Sequence, residues 1–196
     1  VCLDKEGFLP VQIKGIRGRR PADERCSVKL DISESTQFLS ALLLVSSMIK
    51  QGLHIEITSA RKDGSYIQIT RKMMEQFGAV VAFDGERYHI KSGMKYQSGC
   101  YQIEPDVSAA CYFYAAAVLT GGRTVVKNVT WNCMQGDLKF LKLLEKMGAE
   151  VNDTPDGIEV RGASNGKLKG ITVDMKDFSD QTMTLAALAP FADGDV

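Results

Sequence analysis

The sequence predicts an α/β protein built from a repeated unit of strand, helix, strand, helix and hairpin. Short segments of alternating apolar and polar residues, typical of half-buried strands, take turns with longer segments whose apolar residues follow a helical period. The same order returns about 70 residues further on, where Lys146–Val151 closely parallels Gln76–Val81. A repeat of this length indicates structural units that bury a continuous core by packing against their neighbours.

The first unit opens with strands and a helix that follows the polar cluster Ser33–Thr36. Serine and threonine oxygens accept hydrogen bonds from the amides of a helix's first turn, so this cluster predicts a helix start. The helix is apolar on nearly every side, which predicts burial. Gly78 is suited to end the second helix, and Asp84-Gly85 is a strong hairpin signal. The predicted elements are strands at Val11–Ile13, Cys26–Leu30 and Leu53–Ile57, helices at about Gln37–Lys50 and across Ile69–Phe77, and hairpin strands at Ala79–Phe83 and Arg87–Lys91.

The second unit repeats this order, and a third unit begins. Asp106, Asp137 and Asp180 stand where helix caps are expected. The predicted elements are strands at Gly99–Ile103 and Thr124–Val126, helices at Ala109–Leu119 and Leu138–Lys146, a hairpin around Asp156-Gly157, a third-unit strand at Ile171–Met175 and a helix at Met183–Phe191. We expect a chain that starts in a strand at Val1–Leu3 and stops inside a repeat to be part of a longer protein.

Composition disfavours several function classes. Lysine plus arginine equal aspartate plus glutamate at 24 each, so no overall field favours nucleic acid or an acidic membrane, and the short basic cluster Arg17–Arg20 is interpreted as a solvated loop. Apolar runs such as Leu39–Val45 are too short to cross a bilayer. Five cysteines without CxxC spacing argue against zinc, are interpreted as small core residues, and fit a reducing cytoplasm. His54 and His89 alternate with apolar neighbours and are interpreted as structural.

Three helix starts occupy corresponding positions in the repeat: Ser35-Thr36, Asp106 and Asp180. If the units pack around a pseudo-threefold axis with these helices parallel, their positive ends meet at one face. First-turn amides and hydroxyl donors favour anions, so this face is the predicted place for a phosphorylated ligand. Taken singly, each start is also explained as a plain helix cap.

Six segments match one known family in the family's own order and over nearly the whole chain. They are Ser35–Leu43, Tyr66–Thr70, Glu104–Phe113, Met134–Asp137, Leu144–Ala149 and Ser179–Thr184. Together they resemble the 5-enolpyruvylshikimate-3-phosphate synthase family. The resemblance implies an inside-out α/β barrel of two lobes, each with three βαβαββ units, that close on the substrates. Residues 1–104 would form the last unit of one lobe, and residues 105–196 one complete and one partial unit of the other.

The implied reaction belongs to aromatic amino-acid biosynthesis. It moves the enolpyruvyl group of phosphoenolpyruvate onto the 5-hydroxyl of shikimate 3-phosphate and releases phosphate, with no cofactor or metal. By the same resemblance, Ser35 and Thr36 match a pair that binds the shikimate phosphate, and Gln37 matches a glutamine that contacts both substrates. Tyr66 matches an aromatic residue beside the shikimate ring. Asp180 matches a catalytic aspartate that holds the ring hydroxyls and is proposed to take the 5-hydroxyl proton, which requires a carboxylate within hydrogen-bond reach.

Two departures from the family pattern bear on these implications. Asp63 stands where the family usually has a substrate-binding serine, so either Ser65 serves instead or that contact is lost. Several motifs with cationic residues are missing, and such groups would supply most of the charge stabilisation for phosphoenolpyruvate. We therefore expect the parent protein to be the enzyme, monomeric and without nucleic-acid or membrane partners, and this segment alone to be inactive. The alternatives are an enolpyruvyl transferase acting on UDP-N-acetylglucosamine, which Ser35–Gln37 disfavours, and a non-catalytic binding or scaffold domain of the same fold.

Overall fold

The structure, a computed structural model, describes residues 4–6, 8–12, 26–164 and 166–196. The predicted strand at 1–3, the last residue of the strand at 11–13 and the basic cluster at 17–20 lie outside the described residues. The described strands and helices are β1 (Cys26–Leu30), α1 (Gln37–Ser46), β2 (Leu53–Ile57), α2 (Ser65–Gln76), β3 (Val81–Phe83), β4 (Arg87–Ile90), α3 (Val107–Thr120), β5 (Arg123–Lys127), α4 (Leu138–Lys146), β6 (Glu150–Thr154), β7 (Gly157–Arg161), β8 (Leu168–Lys169), α5 (Thr182–Leu188) and β9 (Ala192–Asp193).

The first unit, β1 to β4, forms a four-stranded sheet in the order β1-β2-β4-β3. β1 and β2 are parallel, with Cys26 opposite Leu53, and α1 makes the crossover between them. β3 and β4 form the predicted antiparallel hairpin. Alternate residues of β2 point into the core, where Leu53, Ile55 and Ile57 are buried. A half-buried sheet face covered by two helices follows directly from this alternation.

The second unit, α3 to β7, repeats this arrangement without a first strand. Its sheet has the order β5-β7-β6, which corresponds to β2-β4-β3 of the first unit. Its core is separate from that of the first unit and contains the fully buried Tyr114 and Phe140. The start of the third unit follows, where β8 and β9 are parallel and are joined through α5, as β1 and β2 are through α1.

The two units also end their second helices in the same way. Gly78 after α2 has φ +83°, and Gly148 after α4 has φ +107°. In each case the amide of the next alanine turns back to the helix: Ala79 N donates to Met74 O at 2.7 Å, and Ala149 N to Leu144 O at 3.0 Å. Only glycine adopts such a backbone at low cost, so the predicted stop at Gly78 and its repeat are confirmed.

Two predicted strands were wrong. Residues 99–103 and 171–175 have no regular structure, and the third-unit strand lies instead at Leu168–Lys169. Alternation of apolar and polar residues is a local signal, whereas a strand needs a partner edge to satisfy its backbone. Asp174 also bends its segment, because its carboxylate accepts a hydrogen bond from Lys176 N at 3.0 Å.

The first helix is shorter and less buried than predicted. It ends at Ser46 instead of Lys50, and Ser46 Oγ donates to the Leu43 carbonyl. Only one face of the helix is buried, and it consists of Leu39, Leu43 and Ser46. Phe38, on another face, is 54% exposed. The interpretation of this helix as buried on every side was therefore wrong for the described residues.

The interpretation of the cysteines as core residues holds for Cys26 and Cys111, holds in part for Cys133 and is wrong for Cys100. Cys26 and Cys111 are buried, and burial raises the pKa of the Cys111 thiol to about 12, as expected for a core residue. Cys133 is partly buried and packs against the second core, whereas Cys100 is exposed and is not a core residue. Among the described residues, no helix is both long enough and apolar enough to cross a membrane.

Candidate functional site

A cavity of about 360 Å³ lies where helix starts of the first unit face the second and third units. Its wall includes all five residues that the sequence pointed to: Ser35, Thr36, Gln37, Tyr66 and Asp180. These residues are up to 145 positions apart in the chain. The fold thus brings together every predicted site residue.

At the start of α1, Ser35 makes the predicted bond to a first-turn amide and Thr36 does not. Thr36 stands at the N-cap position, but its side chain makes no capping hydrogen bond. Ser35 Oγ instead accepts from Gln37 N at 3.2 Å. The Thr36 hydroxyl is therefore not needed to hold its own helix.

Tyr66 and Asp180 meet across the cavity. Tyr66, in the first turn of α2, donates its hydroxyl hydrogen to Asp180 Oδ2 at 2.7 Å. This bond, with smaller contributions from partial burial and neighbouring carboxylates, raises the pKa of Tyr66 to about 12. Tyr66 therefore remains a protonated donor at neutral pH.

The predicted helix caps in the second and third units had mixed outcomes. Asp106 is an N-cap, because its carboxylate accepts from Ala109 N at 3.0 Å. Asp180 is not: it lies in a 3₁₀ turn, Ser179–Gln181, and Gln181 takes the N-cap position of α5. Asp137 stands at the N-cap of α4 but makes no capping bond, and its carboxylate accepts from other side chains instead.

The charge of the cavity wall is unbalanced. Four carboxylates and two cations line it: Glu34, Asp137, Asp177 and Asp180, with Arg61 and Lys176. Lys176 pairs with Asp174 at 3.1 Å. Within the described part of the chain, Arg61 has no acidic partner within ion-pair distance.

Sequence reasoning missed Arg61 as a site residue. Its loop is fixed by Ser59, whose Oγ accepts from Ile32 N at 3.2 Å and donates to the Arg61 carbonyl at 2.9 Å. Ser59 thereby ties the Arg61 loop to the segment that leads into Ser35. The available signal was a cation in a turn-rich loop that precedes a helix start.

The position of Asp63 bears on the departure from the family pattern. Asp63 is not part of the cavity wall, and its carboxylate accepts from Gly64 N at 2.8 Å and from Gln68 Nε2 at 3.2 Å. Ser65 does line the cavity. Of the two alternatives, the geometry favours Ser65 as the residue near a ligand.

Gly136 marks a close contact between the two sides of the cavity. A Cβ added to it would lie 2.7 Å from the Asp177 carbonyl oxygen and 3.4 Å from Ser65 Cβ. No larger residue fits there without movement of the backbone.

The two histidines form hydrogen bonds outside this site. His54 and His89 are opposite each other on β2 and β4, with 2.8 Å between their Nδ1 atoms, and His89 Nε2 lies 2.8 Å from Asp84 Oδ2. Among the described residues, no group of three or more histidines, cysteines or acidic residues is arranged to hold a metal ion.

Comparison with known proteins identifies the family. A family model described as EPSP synthase (3-phosphoshikimate 1-carboxyvinyltransferase) matches residues 1–196. This chain belongs to the EPSP synthase family. A 3-phosphoshikimate 1-carboxyvinyltransferase from Trichormus variabilis is 42% identical over 191 residues, which cover 97% of this chain and 43% of that protein. One from Serratia proteamaculans is 40% identical over 194 residues, which cover 98% of this chain and 43% of that protein.

Solved structures agree with this family membership at the level of the fold. An EPSP synthase from Acinetobacter baumannii superposes with a TM-score of 0.64 at 24% identity, over 86% of this chain and 40% of that one. The enolpyruvyl transferase NikO from Streptomyces tendae gives a TM-score of 0.58 at 16% identity, over 86% of this chain and 42% of that one. The chain thus has the mixed α/β fold of EPSP synthases and spans about two fifths of the length of the relatives it matches.

Proposed function

We propose that the full-length protein containing this chain transfers the enolpyruvyl group of phosphoenolpyruvate to the 5-hydroxyl of shikimate 3-phosphate. The observation that carries the proposal is the convergence of Ser35, Thr36, Gln37, Tyr66 and Asp180 on one cavity. Membership of the EPSP synthase family supports the reaction. The alternative acceptor, UDP-N-acetylglucosamine, has less support because the matching family model is that of EPSP synthase.

In this proposal, the α1 start receives the phosphate of shikimate 3-phosphate. The hydroxyls of Ser35 and Thr36 donate to phosphate oxygens, the positive end of α1 adds a favourable field, and Gln37 contacts both substrates. Arg61 supplies a cation on the same wall, and a guanidinium can hold phosphate through two parallel hydrogen bonds.

Asp180 and Tyr66 act on the shikimate ring. Asp180 accepts hydrogen bonds from the ring hydroxyls and takes the proton of the 5-hydroxyl as the hydroxyl oxygen bonds to C2 of phosphoenolpyruvate and C3 gains a proton. Loss of phosphate from C2 and of a proton from C3 then restores the double bond. Tyr66 packs beside the ring and donates to Asp180, which orients the carboxylate. General base catalysis requires the Asp180 carboxylate to lie within one hydrogen bond of that hydroxyl, and its place on the cavity wall allows this.

This chain supplies part of the site. Its cavity carries more carboxylates than cations, which is unfavourable for two phosphorylated substrates, so the remaining positive charge must come from other parts of the full-length protein. We propose that residues 1–104 end one lobe of an inside-out barrel and residues 105–196 begin the other, which is supported by the separate cores of the two units. A cytoplasmic location and a monomeric state stay predictions.

The test uses the full-length protein. Calorimetric titration with shikimate 3-phosphate should show binding, and phosphate release should require phosphoenolpyruvate as well. Gln37→Ala and Asp180→Ala should weaken binding or turnover, while Gln102→Ala, an exposed glutamine outside the cavity, should not. Binding that is absent, or that neither variant changes, would favour the non-catalytic scaffold. The isolated chain should form no product.

A further inference from the structure

A buried polar network joins the starts of α3, α4 and α5 beside the cavity. The Asp137 carboxylate accepts from Ser108 Oγ at 2.9 Å and from Gln181 Nε2 at 3.1 Å. Thr184 Oγ1 donates to Gln181 Oε1 at 3.0 Å. Asp137 is 7% exposed and Gln181 is completely buried. Each of the three helices therefore contributes a side chain to one carboxylate or to its amide partner.

Gln181 anchors the turn that carries Asp180. Its side-chain amide donates to Asp137 at the start of α4 and accepts from Thr184 in α5, so both the nitrogen and the oxygen of the amide have partners. Its backbone closes the 3₁₀ turn, since Gln181 N donates to the Phe178 carbonyl at 3.0 Å. A fully bonded buried network fixes one geometry, because breaking any member leaves a desolvated polar group without a partner.

Asp180 itself has few restraints. Its side chain is exposed and accepts from the Tyr66 hydroxyl across the cavity. The position of its backbone is set by the buried side chain of the adjacent residue, Gln181. An active-site carboxylate displaced by about 1 Å can lose on the order of a hundredfold in rate.

We propose that Asp137 and Gln181 are positioning residues, whose buried hydrogen bond holds the Ser179–Gln181 turn so that Asp180 reaches Tyr66 and the substrate. This inference rests on the proposed function for the substrate part only. Both Asp137 oxygens and both amide atoms of Gln181 have protein partners, so the two residues act through Asp180.

The sharpest test exchanges donor and acceptor in the full-length protein. Gln181→Glu sets a carboxylate against that of Asp137, and the repulsion should shift the turn. We expect kcat to fall on the order of a hundredfold. Adding Asp137→Asn lets the new amide donate to the new carboxylate and should restore kcat to within about threefold of the unsubstituted protein, because the hydrogen bond returns with reversed direction.

Two further variants separate positioning from stability. Tyr114→Phe removes a buried hydrogen bond to the Ile158 carbonyl in the same core, which is not a bond to the Asp180 turn, and should lower Tm but leave kcat unchanged. Thr184→Val deletes only the donor to Gln181 Oε1 and gives a milder perturbation should Gln181→Glu fail to fold; a kcat reduction of about fivefold is expected. The proposal would be overturned if Gln181→Glu or Thr184→Val lowered Tm without lowering kcat. It would also be overturned if the double substitution did not restore kcat.

A readout without turnover keeps this test separate from the proposed function. In ¹³C-tyrosine NMR titrations, with the Tyr66 signal assigned through Tyr66→Phe, Tyr66 should ionise near pH 12 in the unsubstituted protein. In Gln181→Glu the pKa of Tyr66 should fall, since the bond to Asp180, the largest cause of the raised value, is lost. An unchanged Tyr66 titration contradicts the positioning role, whereas absence of product from the unsubstituted protein contradicts only the proposed reaction.

Discussion

The first and second units share a fold but use their equivalent helix starts differently. At α3, the Asp106 carboxylate caps its own helix. At α1, the Thr36 side chain makes no capping bond, although it holds the corresponding position. The Asp106 carboxylate is used by its own helix, whereas the Thr36 hydroxyl is not and can bind a ligand. The comparison therefore separates a side chain that maintains the fold from one that lines the cavity.

The start of the third unit resembles α1 in this respect. Asp180 makes no capping bond and reaches across the cavity to Tyr66. At two of the three equivalent positions the side chain makes no capping bond and lines the cavity, and at the third it caps its helix. The repeat by itself does not reveal which is which, since all three look like helix caps in the sequence.

The largest effect should distinguish Asp180 from Asp106. In the full-length protein, Asp180→Asn should lower kcat by about 10²- to 10⁴-fold, because an amide cannot accept the proton. Asp106→Asn should leave kcat nearly unchanged, since asparagine caps helices about as well as aspartate. Steady-state kinetics on both variants tests this. Equal losses of kcat would show that the two aspartates do not differ in role.

The next effect compares the helix ends that the two units share. Gly78→Ala and Gly148→Ala should each cost on the order of 1 to 2 kcal/mol, because both glycines have positive φ. Gly99→Ala is the control, since Gly99 has ordinary φ and open space around its Cα. Urea denaturation measures all three. A cost at only one of the two helix ends would show that the units are not equivalent there.

A smaller effect contrasts the two caps by stability. Asp106→Ala should destabilise the protein by about 1 kcal/mol through loss of the bond to Ala109 N. Thr36→Ala should cost less stability than Asp106→Ala, because its hydroxyl makes no capping bond, yet it should weaken binding of shikimate 3-phosphate. Thermal denaturation and calorimetry on the same samples test both halves. If Thr36→Ala costs as much stability as Asp106→Ala, its hydroxyl is structural after all.

The smallest effect concerns acid stability in the two hairpins. Arg161 and Arg123 hold the pKa of Glu159 below its ordinary value, and His89 with two backbone amides does the same for the pKa of Asp84. A lowered pKa in the folded state means that the stabilisation is present above the unfolded-state pKa and is lost as pH falls through the folded value. Stability should therefore decline below about pH 4.5.

Removing either carboxylate should make the stability less dependent on pH below about pH 4.5, but not to the same extent. The Glu159 side chain is 5% exposed and that of Asp84 is 52% exposed, so Glu159→Gln should reduce the acid dependence more than Asp84→Asn. Denaturation series at pH 7 and pH 3 provide the comparison. If Asp84→Asn reduced the acid dependence more than Glu159→Gln, Asp84 and not Glu159 would be the larger contributor.

Local signals in the sequence account for most of the fold. The helices near Gly78 and Gly121 and the hairpin at Asp84-Gly85 depend on turn and cap chemistry within a few residues. The strand predicted at Gly99–Ile103 failed because a strand also needs a neighbour, which local alternation does not specify. The length and burial of α1 were overestimated for a related reason. The segment has more apolar residues than its unit buries, and a sequence does not show which of them find a neighbour.

The site was predictable only where a motif marked it. Ser35, Thr36, Gln37, Tyr66 and Asp180 were found through the family resemblance, and the structure adds that they line one cavity. The roles of Arg61 and Gln181 depend on contacts between distant parts of the chain. Gln181, for example, bonds to a carboxylate 44 positions away. No spacing rule in a single sequence predicts such a pair.

Gly136 gives the cavity a property that none of its functional groups provides. Its bare Cα lets the Asp177 carbonyl oxygen lie close by, and Ser65 of the first unit lies at ordinary contact distance from the place a Cβ would take. A methyl group there would overlap the Asp177 carbonyl, so Gly136→Ala should force the backbone just before the Ser179–Gln181 turn to shift. The hydrogen bond of 2.7 Å from Tyr66 to Asp180 depends on the position of that turn. One missing side chain thus protects a contact that is made further along the chain.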